Sequence, residues 1–273
     1  MKKIILAFDG IHFSEGAFEF ARKLNELQPI LLTGVFFPQA EYANLWSYTE
    51  AMGVAFVPLI IPDESEQVQK NIERFEKLCI ANSIDYRVHQ DFFDFALPEL
   101  KKESCYADLL ILGSELFYKN ISIVLPNDYL EETLHNMACP VILVPEKFDF
   151  PERIILAYDG SEDAVFAIKQ FAYLFPELTH QDTLLVYAHE DETRDFPEKL
   201  QMEELVTRHF QNLSLHRLGL NPKKYFAGWL LEKKSAILVS GAYGKFGLSR
   251  LFKRSFLKDV LAAHRLPVFI AHR

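Results

Sequence analysis

The residues best suited to bind an anion lie in a glycine-rich stretch of the chain, Gly241-Ala242-Tyr243-Gly244-Lys245. Glycine lets backbone amides approach a phosphate closely, and Ser255 offers a hydroxyl at the start of a predicted helix. Cations are densest here in an otherwise acidic chain: Lys245, Arg250, Lys253, Arg254 and Lys258. Charge runs alone are usually solvated surface, but the adjacent glycines favour a phosphate cradle.

A carboxylate is expected to face this cradle. Asp159 and Gly160 follow a short apolar run at residues 153–158. If the strand order is 3-2-1-4-5, the first and fourth strands are neighbours, and the loops that follow them face one crevice. We therefore predict one ligand site that combines Asp159 and Gly160 with Gly241 and Gly244.

Patterns typical of more demanding chemistry are absent from the sequence. It contains neither a Gly-x-Ser-x-Gly elbow nor an HExxH metal motif, and the loops after the first strands lack the paired histidines or Ser-Gly-Gly of adenylating enzymes. The acidic pair and phosphorylated Asp of a phosphoacceptor receiver are also missing. We expect His12 to be an exposed polar group and the acidic run 189–192 to be solvated. No catalytic residue and no metal site is predicted.

The elements that must position these residues are arranged as an internal repeat. Residues 2–10 read KKIILAFDG and residues 152–160 read ERIILAYDG, with six identities in nine positions. Two further segments of the first half, 107–114 and 140–144, match 235–242 and 267–271. The repeat predicts two tandem domains, 1–148 and 151–273.

Within each half, short apolar runs alternate with stretches of helical period, which is typical of an α/β fold built around a parallel sheet. Strands are predicted at 3–8, 30–36, 84–89, 108–112, 140–144, 153–158, 182–188, 213–218, 236–240 and 267–271. Helices are predicted at 14–27, 64–81, 162–175, 197–211, 222–233 and 255–264. Ser14 and Ser161 stand where N-caps are needed. The aromatic stretch 38–62 is expected to pack on the core rather than to act as a ligand lid.

Composition limits the kinds of partner that the protein is expected to bind. The formal net charge of −9 argues against nucleic acid, and no apolar run approaches the roughly 18 residues of a membrane span. Three scattered cysteines, Cys79, Cys105 and Cys139, suggest neither a disulfide framework nor a metal knuckle, and their thiols are expected to be buried. These features indicate a reduced, cytoplasmic protein.

The repeat, the Asp-Gly-Ser turn, the glycine loop and the closing Pro-Val strand together resemble the universal stress protein family in its tandem form. Nucleotide-binding members carry Gly, two residues, Gly, nine residues, Gly, then Ser or Thr. Here the pattern gives Gly241, Gly244, Arg254 and Ser255. Arg254 in place of the third glycine either fills the phosphate space or supplies donors to it, and both alternatives remain open.

The resemblance implies two Rossmann-like domains of the adenine nucleotide alpha hydrolase type, each a five-stranded parallel sheet flanked by helices, with the last strands paired within the chain. It places Asp159 near a nucleoside and Tyr187 against the base through its backbone, and it implies ATP or another adenine nucleotide, with Mg²⁺, as the cofactor. Lys245 and the loop would hold the phosphates. The first half, with Glu115 in its loop and no second glycine, is expected to be a degenerate copy.

The function these features predict is a cytoplasmic stress-response protein that binds a nucleotide in its second domain without demanding catalysis. Two alternatives stay open: weak ATP hydrolysis, and a scaffold that acts without nucleotide. Further assembly into a homodimer is not decided by the sequence.

Overall fold

The computed structural model describes residues 1–36, 62–90, 96–117, 134, 136–191, 193–219, 221–241 and 266–272. All ten predicted strands are present there, each within one residue of its expected bounds. They are β1 (Lys2–Phe8), β2 (Ile30–Phe36), β3 (Asp85–Gln90), β4 (Leu109–Gly113), β5 (Val141–Val144), β6 (Arg153–Ala157), β7 (Asp182–His189), β8 (Asn212–Gly219), β9 (Ala236–Gly241) and β10 (Val268–Ala271).

The ten strands form one sheet in the order β3-β2-β1-β4-β5-β10-β9-β6-β7-β8. Each half has the predicted 3-2-1-4-5 order with parallel neighbours. The halves join where β5 pairs with β10, antiparallel, with Ile142 opposite Phe269. This confirms the expected pairing of the last strands. Because the junction is antiparallel, the carboxyl ends of the strands in the two halves lie at opposite edges of the sheet.

The described residues form six α-helices: α1 (Glu15–Leu27), α2 (Pro62–Ala81), α3 (Ala96–Ser104), α4 (Glu162–Leu174), α5 (Lys199–His209) and α6 (Pro222–Leu231). A short 3-10 helix lies at Leu178–His180. Five of the α-helices match predicted helices within two residues at each end, and α3 was not predicted individually. The helix predicted at 255–264 lies outside the described residues. So does the aromatic stretch 38–62, apart from residue 62, which begins α2.

The helices cover both faces of the sheet. Large side chains of α1, α2, α4 and α5 enter the core on one face, among them Phe20, Phe75 and Phe171. Leu100 of α3 and Phe226 of α6 enter the core on the other face. Covering on both faces explains why strands such as β4 and β6 are apolar at consecutive positions rather than at alternate ones.

The two repeated serines cap equivalent helices. The Ala17 amide donates to Ser14 Oγ at 3.2 Å at the start of α1, and the Ala164 amide donates to Ser161 Oγ at 3.2 Å at the start of α4. Both predicted N-caps are therefore confirmed. Each cap fixes the point at which the chain turns from the carboxyl end of a strand into the helix.

The prediction that all three thiols are buried is wrong for one of them. Cys79 and Cys139 are buried, whereas Cys105 is exposed just beyond the end of α3. Burial raises the pKa of the Cys79 thiol to about 12 and that of the Cys139 thiol to about 12. In the described parts of the chain, no helix is long and apolar enough to cross a membrane.

Candidate functional site

The structure brings Asp159 and Gly241 to the same edge of the sheet. Strand β6 pairs in parallel with β9, with Leu156 opposite Val239. Asp159 therefore lies just beyond the end of β6, beside Gly241 at the end of β9. Gly160 and Tyr187, the latter on the neighbouring strand β7, lie at this edge as well. The other predicted site residues lie outside the described residues: Gly244, Lys245, Arg254 and Ser255.

One oxygen of the Asp159 carboxylate is buried and finds no partner in the part of the chain that the structure describes. Oδ1 accepts the Ser161 amide at 2.9 Å, whereas Oδ2 has no hydrogen-bond partner among the described residues. A buried acceptor left unpaired costs on the order of 1–3 kcal/mol, so such an atom needs an explanation. It marks a place where a ligand donor would restore a missing hydrogen bond.

The equivalent carboxylate in the first half is fully engaged. Asp9 Oδ1 accepts the Ile11 amide at 3.1 Å and the His12 amide at 2.8 Å, and Oδ2 lies 2.7 Å from His12 Nδ1. The Asn71 side chain of α2 secures this loop by donating to the carbonyls of Gly10 and Ile11, both at 2.8 Å. His12 is therefore an intramolecular partner of Asp9, not the freely exposed polar group expected from the sequence.

The difference arises from a length difference between the repeats. Three residues, Ile11 to Phe13, separate Gly10 from Ser14, whereas Gly160 is followed directly by Ser161. The Phe13 ring stacks on Phe8 at a centroid distance of 4.8 Å. The insertion thus supplies both a donor for Asp9 and an aromatic ring that packs on Phe8 at the end of β1.

Two predicted site glycines have packing roles of their own. Gly160 has φ +86, a left-handed conformation that side chains strain, and a Cβ there would lie 2.8 Å from Pro197 Cβ. A Cβ on Gly241 would lie 2.6 Å from the Ala164 amide nitrogen and 2.6 Å from the Asp163 carbonyl carbon. Glycine at 241 therefore lets the end of β9 touch the first turn of α4, where the helix dipole favours anions.

Two buried tyrosines, Tyr158 and Tyr187, lie near the Asp159 carboxylate. Burial raises the pKa of Tyr158, and the carboxylates of Glu198 and Asp159 add to that rise. Burial also raises the pKa of Tyr187, opposed by Arg194 and reinforced by Asp159. Tyr187 is only 3% exposed, so its side chain presents almost no surface to a ligand. A contact at this position would fall to the main chain.

In the first half, an internal carboxylate occupies the N-terminus of α1. Ser14 Oγ donates to Glu146, and the amides of Glu15 and Gly16 donate to Glu146 Oε2 at 3.1 and 3.4 Å. The Glu146 amide in turn donates to Glu115 Oε1 at 3.1 Å. The donors that an external anion would use at this helix are therefore bound to the chain itself.

Sequence reasoning did not identify Asn71 or Glu146 as neighbours of these loops. Glu146 follows β5 and reaches α1 only in the folded chain, so no local pattern marks it. The three extra residues before Ser14 were a visible signal that the two loops differ.

Comparison of the sequence with models of protein families and with curated proteins finds no match. Solved structures do match over the whole chain. A universal stress protein from Archaeoglobus fulgidus DSM 4304 aligns with a TM-score of 0.70 and 20% identity, covering 100% of this chain and 96% of that one. A candidate universal stress protein from Pseudomonas aeruginosa UCBPP-PA14 aligns with a TM-score of 0.57 and 8% identity, covering 100% and 93%.

A functionally unknown protein from Pseudomonas aeruginosa PAO1 is similar to the same degree, with a TM-score of 0.57, 11% identity and coverage of 100% and 92%. At these identities the likeness concerns the fold. The chain has the fold of tandem universal stress proteins, with two 3-2-1-4-5 halves in one sheet.

Proposed function

We propose that the protein acts as a universal stress protein and binds an adenine nucleotide at the second-half edge formed by the ends of β6, β7 and β9. The observation that carries this proposal is the buried Oδ2 of Asp159, which has no hydrogen-bond partner within the described residues. In nucleotide-binding members of the family that the chain resembles, an Asp after the first strand lies near the base and ribose, and a carboxylate oxygen can accept a hydrogen bond from a ribose hydroxyl.

The surroundings of Asp159 favour a nucleotide over other ligands that could donate a hydrogen bond to its carboxylate. Gly241 brings β9 against the first turn of α4, whose amides and dipole favour negative charge. The sequence that follows Gly241 carries the second glycine and the cations of the predicted phosphate cradle. A ligand with hydroxyls at one end and phosphates at the other would match both the Asp159 carboxylate and the predicted phosphate cradle.

The first half supports the same reading by contrast. His12 supplies Asp9 with a donor that the described residues do not supply to Asp159. Phe13 stacks on Phe8, and Glu146 occupies the N-terminus of α1. The residue at the position of Glu146 in the second half, counted from the end of β10, is Arg273. We therefore infer one nucleotide site per chain, in the second half.

Calorimetric titration with ATP and AMP tests the proposal. Asp159→Asn should weaken binding of both nucleotides about 10- to 100-fold, because a hydrogen bond to a charged acceptor is lost. Asp9→Asn is the matched control and should leave affinity unchanged. Gly244→Arg should weaken ATP more than AMP. Wild-type affinity no tighter than millimolar, insensitive to both second-half variants, would favour the nucleotide-independent scaffold instead.

A further inference from the structure

A cavity of about 360 Å³ lies between α4 and α5, over the face of the sheet that these helices cover. Its apolar lining consists of Tyr158, Val165, Phe166, Met202 and Leu205, and Gly160, Glu162, Lys169, Glu198 and Gln201 complete it. Its size falls within the range of about 300–1,000 Å³ typical of small-molecule sites. Gly160, which also belongs to the proposed nucleotide site, lines one end of the cavity, whereas the helix residues belong to the cavity alone.

The cavity exists because large residues of the first half have smaller counterparts here. Aligned from the capping serines, Phe18 corresponds to Val165, and aligned from the start of the third strand, Phe75 corresponds to Met202. In the first half, Phe18 packs edge-on against Phe75 with centroids 6.2 Å apart, and Phe13 adds a third ring. The second half lacks a counterpart of Phe13 altogether.

Lys169, the cation that lines the cavity, lacks the carboxylate partners of its first-half counterpart, Arg22, among the described residues. On α1, Arg22 forms ion pairs with Glu19 and Glu26. The equivalent residue on α4 is Lys169, and the positions of those two glutamates hold Phe166 and Tyr173. Among the described residues, no carboxylate pairs with Lys169. An unpaired ammonium therefore stands beside an apolar cavity.

The remaining charges of the rim lie at the opposite end. Glu162 is two helical turns before Lys169, roughly 10 Å along α4, and Glu198 stands at the start of α5. These two carboxylates oppose a second negative charge on a ligand.

We propose that this cavity binds a small amphipathic monocarboxylate, with its carboxylate at Lys169 and its apolar body between Val165 and Met202. The charge pattern selects a single anion at one end of an apolar chain or ring. The ligand differs in chemistry from the nucleotide, and its anchor, Lys169, lies two helical turns along α4 from the end of the cavity that borders Asp159.

Titration with octanoate, followed by calorimetry and by NMR shifts of the Val165 and Leu205 methyl groups, tests the proposal. For about ten heavy atoms we expect a Kd of about 0.1–1 mM. Lys169→Met should weaken binding about three- to tenfold, whereas Lys23→Met, an exposed lysine on α1, should leave it unchanged. Val165→Phe should abolish saturable binding by restoring the first-half residue, and Met202→Phe repeats this test should Val165→Phe fail to fold.

Three matched compounds separate charge from hydrophobic contact: octanol, octylamine and octanedioate. Each should bind more weakly than octanoate. ATP affinity should be unchanged by Val165→Phe, and octanoate affinity unchanged by Asp159→Asn, so that failure here is distinct from failure of the nucleotide proposal. Octanol or octylamine binding as tightly as octanoate, or methyl shifts that persist in both filled variants, would overturn the assignment.

Discussion

His12 Nδ1 lies 2.7 Å from Asp9 Oδ2, whereas the corresponding oxygen of Asp159 is buried without a partner among the described residues. The two carboxylates follow the same strand of the repeat and differ in whether the chain satisfies them. An active or binding site often keeps such a polar group unsatisfied at a cost in stability.

The same replacement should therefore change stability in opposite directions in the two halves. Asp9→Asn removes a charged acceptor with several donors and should lower the free energy of unfolding by about 1–3 kcal/mol. Asp159→Asn removes a charge from a half-buried side chain whose Oδ2 has no partner among the described residues, and should raise it by about 0.5–2 kcal/mol. Urea denaturation without ligand measures both. A loss of stability in both variants would mean that Asp159 already has a partner within the chain.

Most of the fold could be predicted from the sequence because it depends on local periodicity and on the repeat. The matching runs at 2–10 and 152–160 identify β1 and β6, and the strand order then places Asp159 beside Gly241. Strands buried on both faces are apolar at consecutive positions, so their bounds are easily read.

The contacts that distinguish the two sites could not be predicted, because they depend on how distant segments pack. Glu146 binds the start of α1 across most of one half, and nothing near it in sequence indicates this. The stacking of Phe13 on Phe8 and the exposure of Cys105 are likewise consequences of tertiary structure. Sequence reasoning assigned Gly241 to phosphate, while the structure adds a packing role against α4.

That packing role gives a stability prediction for Gly241. Gly241→Ala places a Cβ 2.6 Å from the Ala164 nitrogen and should destabilise the protein by about 1–3 kcal/mol, because backbone must move. Gly228 within α6 is the matched control, since a Cβ there meets nothing within 4 Å. Gly228→Ala should stabilise by about 0.5–1 kcal/mol through helix propensity. Equal effects on thermal unfolding would contradict the close approach of β9 to α4.

The carboxylate at the start of α1 should also contribute to stability. Glu146→Gln keeps the side chain's shape but removes the charge that faces Ser14 and the first amides of the helix, and it should cost about 0.5–2 kcal/mol. Asp149→Asn, at an exposed position three residues later, should change the unfolding free energy by less than about 0.5 kcal/mol. If raised salt removes the whole difference between the two variants, Glu146 acts only through long-range charge.

The three thiols should differ in reactivity and should make stability depend on alkaline pH. At pH 8, iodoacetamide should modify Cys105 in the native protein, while Cys79 and Cys139 react only after unfolding, because burial holds their pKa values at about 12.

Since the folded pKa of Cys79 and Cys139 lies above the ordinary value of 9.0, these buried thiols keep their protons at a pH where unfolded thiols ionise. Their contribution to stability is full below pH 9 and is lost between pH 9 and about 12, by about 1.4 kcal/mol per pH unit for each thiol. Replacing Cys79 and Cys139 by Ala should flatten that slope in denaturation curves taken at several pH values, and replacing Cys105 should leave it unchanged. A slope that survives the double replacement would assign the alkaline loss of stability to other groups. Tyr158 and Tyr187 are the next candidates, because burial raises the pKa of both.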